Sequence, residues 1–131
     1  MKIAQFIFAC ILLLSASVTN ADGLRRGGSL FGAVESNGDV RIDGSIKGRF
    51  ESNGDIRVNG SLEGRIESDG SIRKNGSLVG KVESNGDVRI DGSIRGKIED
   101  NGDVREKGSI IGSASGINKE QAAVIFFFGF F

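Results

Sequence analysis

The sequence predicts an all-β protein whose short antiparallel hairpins close radially, like petals, around one axis. Three observations predict this fold: five consecutive units of 16 residues, Asn-Gly or Asp-Gly dipeptides in every unit, and apolar residues separated by even steps. A fixed period of this kind indicates a repeat architecture in which each unit is one supersecondary element. The many glycines also argue against helical units.

Residues 1–21 have the features of an export signal. Lys2 provides a positive start, residues 3–14 form an apolar stretch with one polar interruption, and residues 15–21 are small or polar. The apolar stretch is shorter than the about 20 residues that a membrane-spanning helix needs. We therefore predict an exported protein (periplasm, outer envelope or secreted); an uncleaved anchor and a lipid on Cys10 are the alternatives.

The sequence divides into four segments. They are a signal peptide at 1–21, a linker at 22–27, a five-repeat β domain at 28–116 and a hydrophobic helix at 117–131. The complete units occupy residues 32–111. A half unit at 28–31 precedes them and a degenerate half at 112–115 follows, so the repeat domain begins and ends in the middle of a unit.

Three apolar positions in each unit are predicted to form the core. They follow one another at steps of 6, 6 and 4 residues. Because side chains alternate between the two faces of a strand, even steps keep the whole set on one face. These positions are Val34, Val40, Ile46, Phe50, Ile56, Leu62, Ile66, Ile72, Leu78, Val82, Val88, Ile94, Ile98, Val104 and Ile110.

Both turns of a unit are predicted to be three-residue loops with a left-handed glycine. In the first, a loop at 36–38 pairs Val34 with Val40, whereas a two-residue loop would scramble the faces. In the second, a loop at 42–44 pairs Val40 with Ile46. Position 42 is therefore predicted to be exposed, which agrees with the mixed polarity of its equivalents, Ile42, Val58, Lys74, Ile90 and Glu106.

A glycine recurs in the middle of the longer strand of each unit. Glycine in a strand marks a sharp bend or a close approach of another group. We predict a ring of bends near the common axis at Gly32, Gly48, Gly64, Gly80, Gly96 and Gly112.

The C-terminal segment changes character completely. Asn118 can cap a helix, with Gln121 three residues later, where a capping box places it. Residues 122–131 are apolar throughout, and as a helix they would cover about 15 Å, half of a bilayer core. The phenylalanine side chains of this segment are predicted to plug the centre of the closed β domain, to contact a membrane or to contact a partner. They are Phe126, Phe127, Phe128, Phe130 and Phe131.

The repeat and the tail together resemble the five-fold β-flower family of small exported bacterial proteins. The features that carry the resemblance are the signal peptide, the motif [VIF]-E-S-[ND]-G-[DS]-[VI]-R followed by G-S-[IL]-x-G, and the Ala-Ala-Val plus phenylalanine ending, over residues 28–131. The resemblance implies hairpins arranged radially around a hydrophobic channel and, by analogy with barrels of similar shape, contact with lipid. It implies no catalytic residues. A bactofilin-like β-solenoid that assembles into a scaffold is the alternative.

The composition leaves little room for enzyme chemistry. Histidine is absent and Cys10 is the single cysteine, so we predict no catalytic residues, no cofactor and no metal site. Glu35, Asp39 and Asp43 recur in the units and could offer oxygen ligands to Ca²⁺, but the first is predicted to be balanced by Arg41 and the others to shape turns.

The charges argue against nucleic acid as a partner. Removing residues 1–21 takes away one of the 17 basic residues and none of the 17 acidic ones, which leaves a net charge of −1 with both signs interspersed. No small-molecule substrate is identified. The sequence therefore predicts a non-catalytic structural or binding module whose partner is a lipid or another envelope component.

Overall fold

A computed structural model describes residues 23–131. The predicted signal peptide, with Lys2 and Cys10, lies outside the described residues. The described chain forms a closed barrel of antiparallel strands followed by one helix, α1 (Lys119–Phe127). The strands are β1 (Gly23–Arg26), β2 (Ser29–Val34), β3 (Asp39–Ile42), β4 (Ser45–Phe50), β5 (Asp55–Val58), β6 (Ser61–Ile66), β7 (Ser71–Lys74), β8 (Ser77–Val82), β9 (Asp87–Ile90), β10 (Ser93–Ile98), β11 (Asp103–Glu106) and β12 (Ser109–Ser113).

The predicted closed all-β arrangement is confirmed, and the barrel contains six hairpins rather than five. Residues 23–26, which the sequence assigned to a linker, form β1, and β12 pairs with β1 to close the barrel, with Gly112 opposite Arg26. Every strand is therefore hydrogen-bonded on both sides, which leaves no free edge. The β-solenoid alternative is wrong, because neighbouring strands are antiparallel and the last meets the first.

The first turn of each unit is the predicted three-residue loop. Val34 pairs with Val40, and the Glu35 amide donates to the Asp39 carbonyl at 2.8 Å. Gly38 has a φ of 97°, in the left-handed region that favours glycine. In the second unit the same geometry places Phe50 opposite Ile56.

The prediction for the second turn is wrong, and the error changes which side chains face the core. Ile42 pairs with Ser45, so the loop contains only Asp43 and Gly44, whose φ angles of 52° and 85° are those of a type I′ hairpin turn. The register then shifts by one residue at a β-bulge: Val40 faces Gly48, while Arg41 faces Ile46. Ile46 therefore shares the outer face with Arg41 instead of the inner face with Val40.

The barrel core consists of the remaining predicted positions and the tail. Val40, Ile56, Ile72, Val88 and Val104 are fully buried, and Leu24 takes the same place in β1. Val34, Phe50, Val82 and Ile98 are also buried, and Ile66 is half-buried against them. Position 42 was predicted to be exposed, but Ile42 and Val58 pack against this core.

The C-terminal helix begins as the sequence predicts, although it is shorter than residues 117–131. The Asn118 side chain accepts a hydrogen bond from the Gln121 amide at 3.0 Å, as an N-cap does. Ala122, Ala123 and Val124 are fully buried, so the helix presents no apolar face to solvent at these positions. Gly129, with a φ of 69°, ends the helical turn.

Candidate functional site: the aliphatic belt

The phenyl rings of the tail lie inside the barrel, each against a different glycine of the predicted ring. A Cβ atom built on Gly48 would lie 2.5 Å from Phe131 Cε1, and one on Gly80 would lie 2.5 Å from Phe128 Cε1. The remaining pairs are Gly64 with Phe130, Gly96 with Phe127 and Gly112 with Phe126.

These glycines therefore serve close packing. A neighbouring backbone carbonyl and a phenyl ring occupy the space that a side chain would need. Gly32 meets no ring of the tail; instead Phe126 packs edge-on against Phe31, with the ring centroids 5.7 Å apart. The tail contributes to the folded core, and its rings contact all six hairpins, five at a glycine and the first at Phe31.

Lys74 connects the barrel wall to the end of the tail. Its Nζ donates to the carbonyl oxygens of Phe128 at 3.5 Å and Gly129 at 3.2 Å, and lies 4.8 Å from the centre of the Phe130 ring. A cation at the C-terminal end of a helix is stabilised by the partial negative charge of the free carbonyls. The departure of Lys74 from the apolar residues at this repeat position is thus explained by a contact with the tail.

The outer surface carries a ring of exposed aliphatic side chains, one on each hairpin, which we call the aliphatic belt. Each belt residue is the second residue of the longer strand of its hairpin, directly after the serine that follows the tight turn. Its members and their exposed fractions are Leu30 (62%), Ile46 (49%), Leu62 (55%), Leu78 (60%), Ile94 (53%) and Ile110 (54%).

A row of arginines borders the belt on one side. Arg41 lies opposite Ile46 in the register, and its guanidinium contacts the Glu35 carboxylate and donates to the Gly44 carbonyl in the turn. The same arrangement repeats around the barrel, for example with Arg57 Nε 2.8 Å from Glu51 Oε2. The predicted balance of Glu35 by Arg41 is therefore confirmed, and the arginines hold each turn against its strand.

The other carboxylates considered as oxygen ligands have partners of their own. Asp39 lies 3.5 Å from Arg49 Nε and accepts from the Asn37 amide group at 3.2 Å, while Asp43 occupies the tight turn. Within residues 23–131, no three acidic side chains come together in a way that could hold a metal ion.

In the part of the chain that the structure describes, no helix combines the length and apolarity needed to cross a membrane. No family model, curated protein or solved structure matches the chain. Fold and surface together define a closed antiparallel barrel of six repeated hairpins that is filled by its own C-terminal segment and encircled by an aliphatic belt.

Sequence reasoning identified the tail but missed the belt, because it placed Ile46 and its equivalents in the core. A local signal for the correct position was present. Asp43-Gly44 is a strong two-residue hairpin signal, and a two-residue loop with a bulge sends the residue at position 46 to the outer face. Leu24-Arg25, 16 residues before Val40-Arg41, likewise signals the missed first strand.

Proposed function

We propose that this chain is a non-catalytic structural or binding module of the cell envelope, and that it binds its partner through the aliphatic belt. The observation that carries the proposal is the exposure of six large aliphatic side chains, one at the same position of every hairpin. Single exposed apolar residues are normal on protein surfaces, whereas large aliphatic side chains exposed at the same position of all six hairpins support an interaction site. Repetition at every hairpin makes a chance arrangement a poor explanation.

The stability of the fold does not explain the belt. A surface β position accepts threonine without loss of strand propensity, and the sheet beneath the belt is already closed and filled. The presence of leucine or isoleucine at all six positions therefore supports a contact outside the barrel. The export signal of the sequence analysis suggests that this contact is made in the envelope or outside the cell.

Lipid contact through the tail is the second form of the hypothesis, and the packing of the tail weighs against it. Phe130 is 7% exposed, and the other four rings are half-buried against the core. For the buried Phe130 ring to touch lipid, the tail would have to leave the barrel and expose Val40 and its equivalents to water.

Fractionation of cells that produce the full chain tests the belt. We compare the natural chain with a variant in which all six belt residues are threonine. We expect the natural chain to remain with the envelope fraction after a high-salt wash and the variant to be released. The matched control replaces the serine that precedes each belt residue by threonine and should behave like the natural chain. Equal retention of the belt variant would refute the proposal.

A further inference from the structure

We infer that Asn59 and Asn75 are sites of spontaneous deamidation, and that the fold protects the other Asn-Gly pairs of the chain from the same reaction. The chain contains six such pairs, whose asparagines are Asn37, Asn53, Asn59, Asn75, Asn85 and Asn101. Four of the pairs lie in the three-residue loops, and two lie in the tight turns that join Val58 to Ser61 and Lys74 to Ser77. Neither site is part of the aliphatic belt, so the inference is independent of the proposed function.

Deamidation of an Asn-Gly pair requires no enzyme and no cofactor. The backbone nitrogen of the glycine loses its proton to the solvent and attacks the side-chain carbonyl carbon of the asparagine. A carbon–nitrogen bond forms and ammonia leaves, and water then opens the resulting succinimide ring to aspartate or isoaspartate. Glycine favours the attack because it has no side chain to hinder it. The reaction therefore needs a glycine amide and an asparagine side chain that are both free to rearrange.

In the three-residue loops, hydrogen bonds hold both of the reacting groups. The Gly38 amide donates to the Glu35 carbonyl at 2.8 Å. Asn37 Oδ1 accepts from the Asp39 amide at 3.0 Å, and Asn37 Nδ2 donates to the Asp39 carboxylate at 3.2 Å. The same three bonds recur in the other three loops that contain an Asn-Gly pair. Attack by the glycine nitrogen would therefore require the loop to open first.

In the tight turns the same groups are unrestrained. Within residues 23–131, neither the Gly60 amide nor the Asn59 side chain has a hydrogen-bond partner, and the same holds for Gly76 and Asn75. Both asparagines are exposed, and a Cβ atom built on either glycine would meet nothing within 4 Å. The side chain can therefore rotate towards the glycine nitrogen, and water can reach the succinimide.

The tight turns also accept the acidic product of the reaction. Asp43 and Asp91 occupy the positions equivalent to Asn59 and Asn75 in other hairpins, with φ angles of 52° and 54° beside 52° and 51°. Aspartate, like asparagine, tolerates this left-handed conformation. Conversion at both sites is thus compatible with the fold, and the two additional carboxylates change the formal net charge from 0 to −2.

Tryptic peptide mapping of the full chain tests the inference. Trypsin cleaves after lysine and arginine, which places each of the six asparagines in a separate peptide. After incubation of the folded chain at mildly alkaline pH, mass spectrometry should show that Asn59 and Asn75 are converted about tenfold faster than Asn37. This is the factor that one hydrogen bond of about 1.4 kcal/mol provides. Rates that do not differ between the two kinds of turn would overturn the inference.

The matched control is the same chain incubated in urea. Unfolding removes the hydrogen bonds of both kinds of turn, so all six asparagines should then react at similar rates. The ratio of the folded to the unfolded rate at each site separates the effect of the fold from the effect of the residue that follows the glycine. This ratio should be highest at Asn59 and Asn75, and a higher ratio at Asn37 would contradict the protection by its loop.

Isoelectric focusing provides a second measurement that does not depend on proteolysis. The folded natural chain should develop two successive acidic bands. The variant Asn59→Asp/Asn75→Asp should start at the position of the second band and develop no further band in the same time. If the double variant acquires acidic bands as fast as the natural chain does, the reactive asparagines lie in the three-residue loops and the inference is wrong.

Discussion

The phenyl ring of Phe130 tests whether the tail belongs to the core, and we expect Phe130→Ala to lower the free energy of unfolding by about 3–5 kcal/mol. The side chain is 7% exposed and lies against Gly64, where a built Cβ would be 2.7 Å from the ring. Gly64 has no side chain that could move into the vacated space, and a closed sheet resists collapse. The loss should therefore fall in the upper half of that range.

The chain has no tryptophan and no tyrosine, so urea unfolding is best followed by far-UV circular dichroism. The matched control is Leu62→Ala, two residues from Gly64 in the same strand, whose side chain is 55% exposed. Its effect should stay within about 0.5 kcal/mol. An unchanged dependence of the unfolding free energy on urea concentration would show that the two variants lose stability and not compactness.

A small loss of stability for Phe130→Ala, equal to that of Leu62→Ala, would contradict the burial of the tail in the core. The tail would then contribute nothing to the core, and its rings would be free to serve as a lipid or partner contact. A large loss of stability for Leu62→Ala would contradict the exposed position of the belt, because the belt would then contribute to the stability of the fold.

Three further predictions concern the connection of the tail and the turns. Lys74→Met keeps an apolar stem but loses the two carbonyl contacts, so we expect a loss of about 1–2 kcal/mol in the same urea assay, with faster amide exchange at the end of α1. Asp43→Val places a β-branched residue at a φ of 52° and should cost about 1–2 kcal/mol, whereas Asp43→Asn should be nearly neutral. The Lys119 ammonium, 2.5 Å from the Asp100 carboxylate, lowers the pKa of that carboxyl below its ordinary value. The contribution of this pair to stability is therefore complete above the unfolded pKa of about 3.9 and is lost as the pH falls through the pKa of Asp100 in the folded state. A carboxyl titration by NMR should show that the pKa of Asp100 rises in Lys119→Met.

The resemblance to the five-fold β-flower family and the export signal both stay predictions. The number of hairpins bears on the resemblance to the five-fold family. A closed ring with a sixth hairpin made from residues 23–34 has a wider interior than five hairpins would enclose, and the helix with its phenyl rings fills that interior.

Features that depend on a few neighbouring residues can be predicted from the sequence alone. The 16-residue period, the three-residue loop before Val40, the Asn118 cap and the inward direction of Val34 are all readable, because local turn and cap geometry restricts them strongly. The apolar composition of residues 122–131 also predicts that the tail is buried.

Three features depend on the folded sheet as a whole: the number of hairpins that close the barrel, the position of the tail and the direction of the Ile46 side chain. Closure is a property of the whole sheet, since the pairing of β12 with β1 joins the last strand to the first, with Gly112 opposite Arg26. The direction of Ile46 depends on a one-residue bulge, and a shift of one residue exchanges the inner and outer faces of a strand. An even spacing of apolar residues is therefore compatible with a filled core and with a belt on the surface, and the register of the closed sheet selects between them.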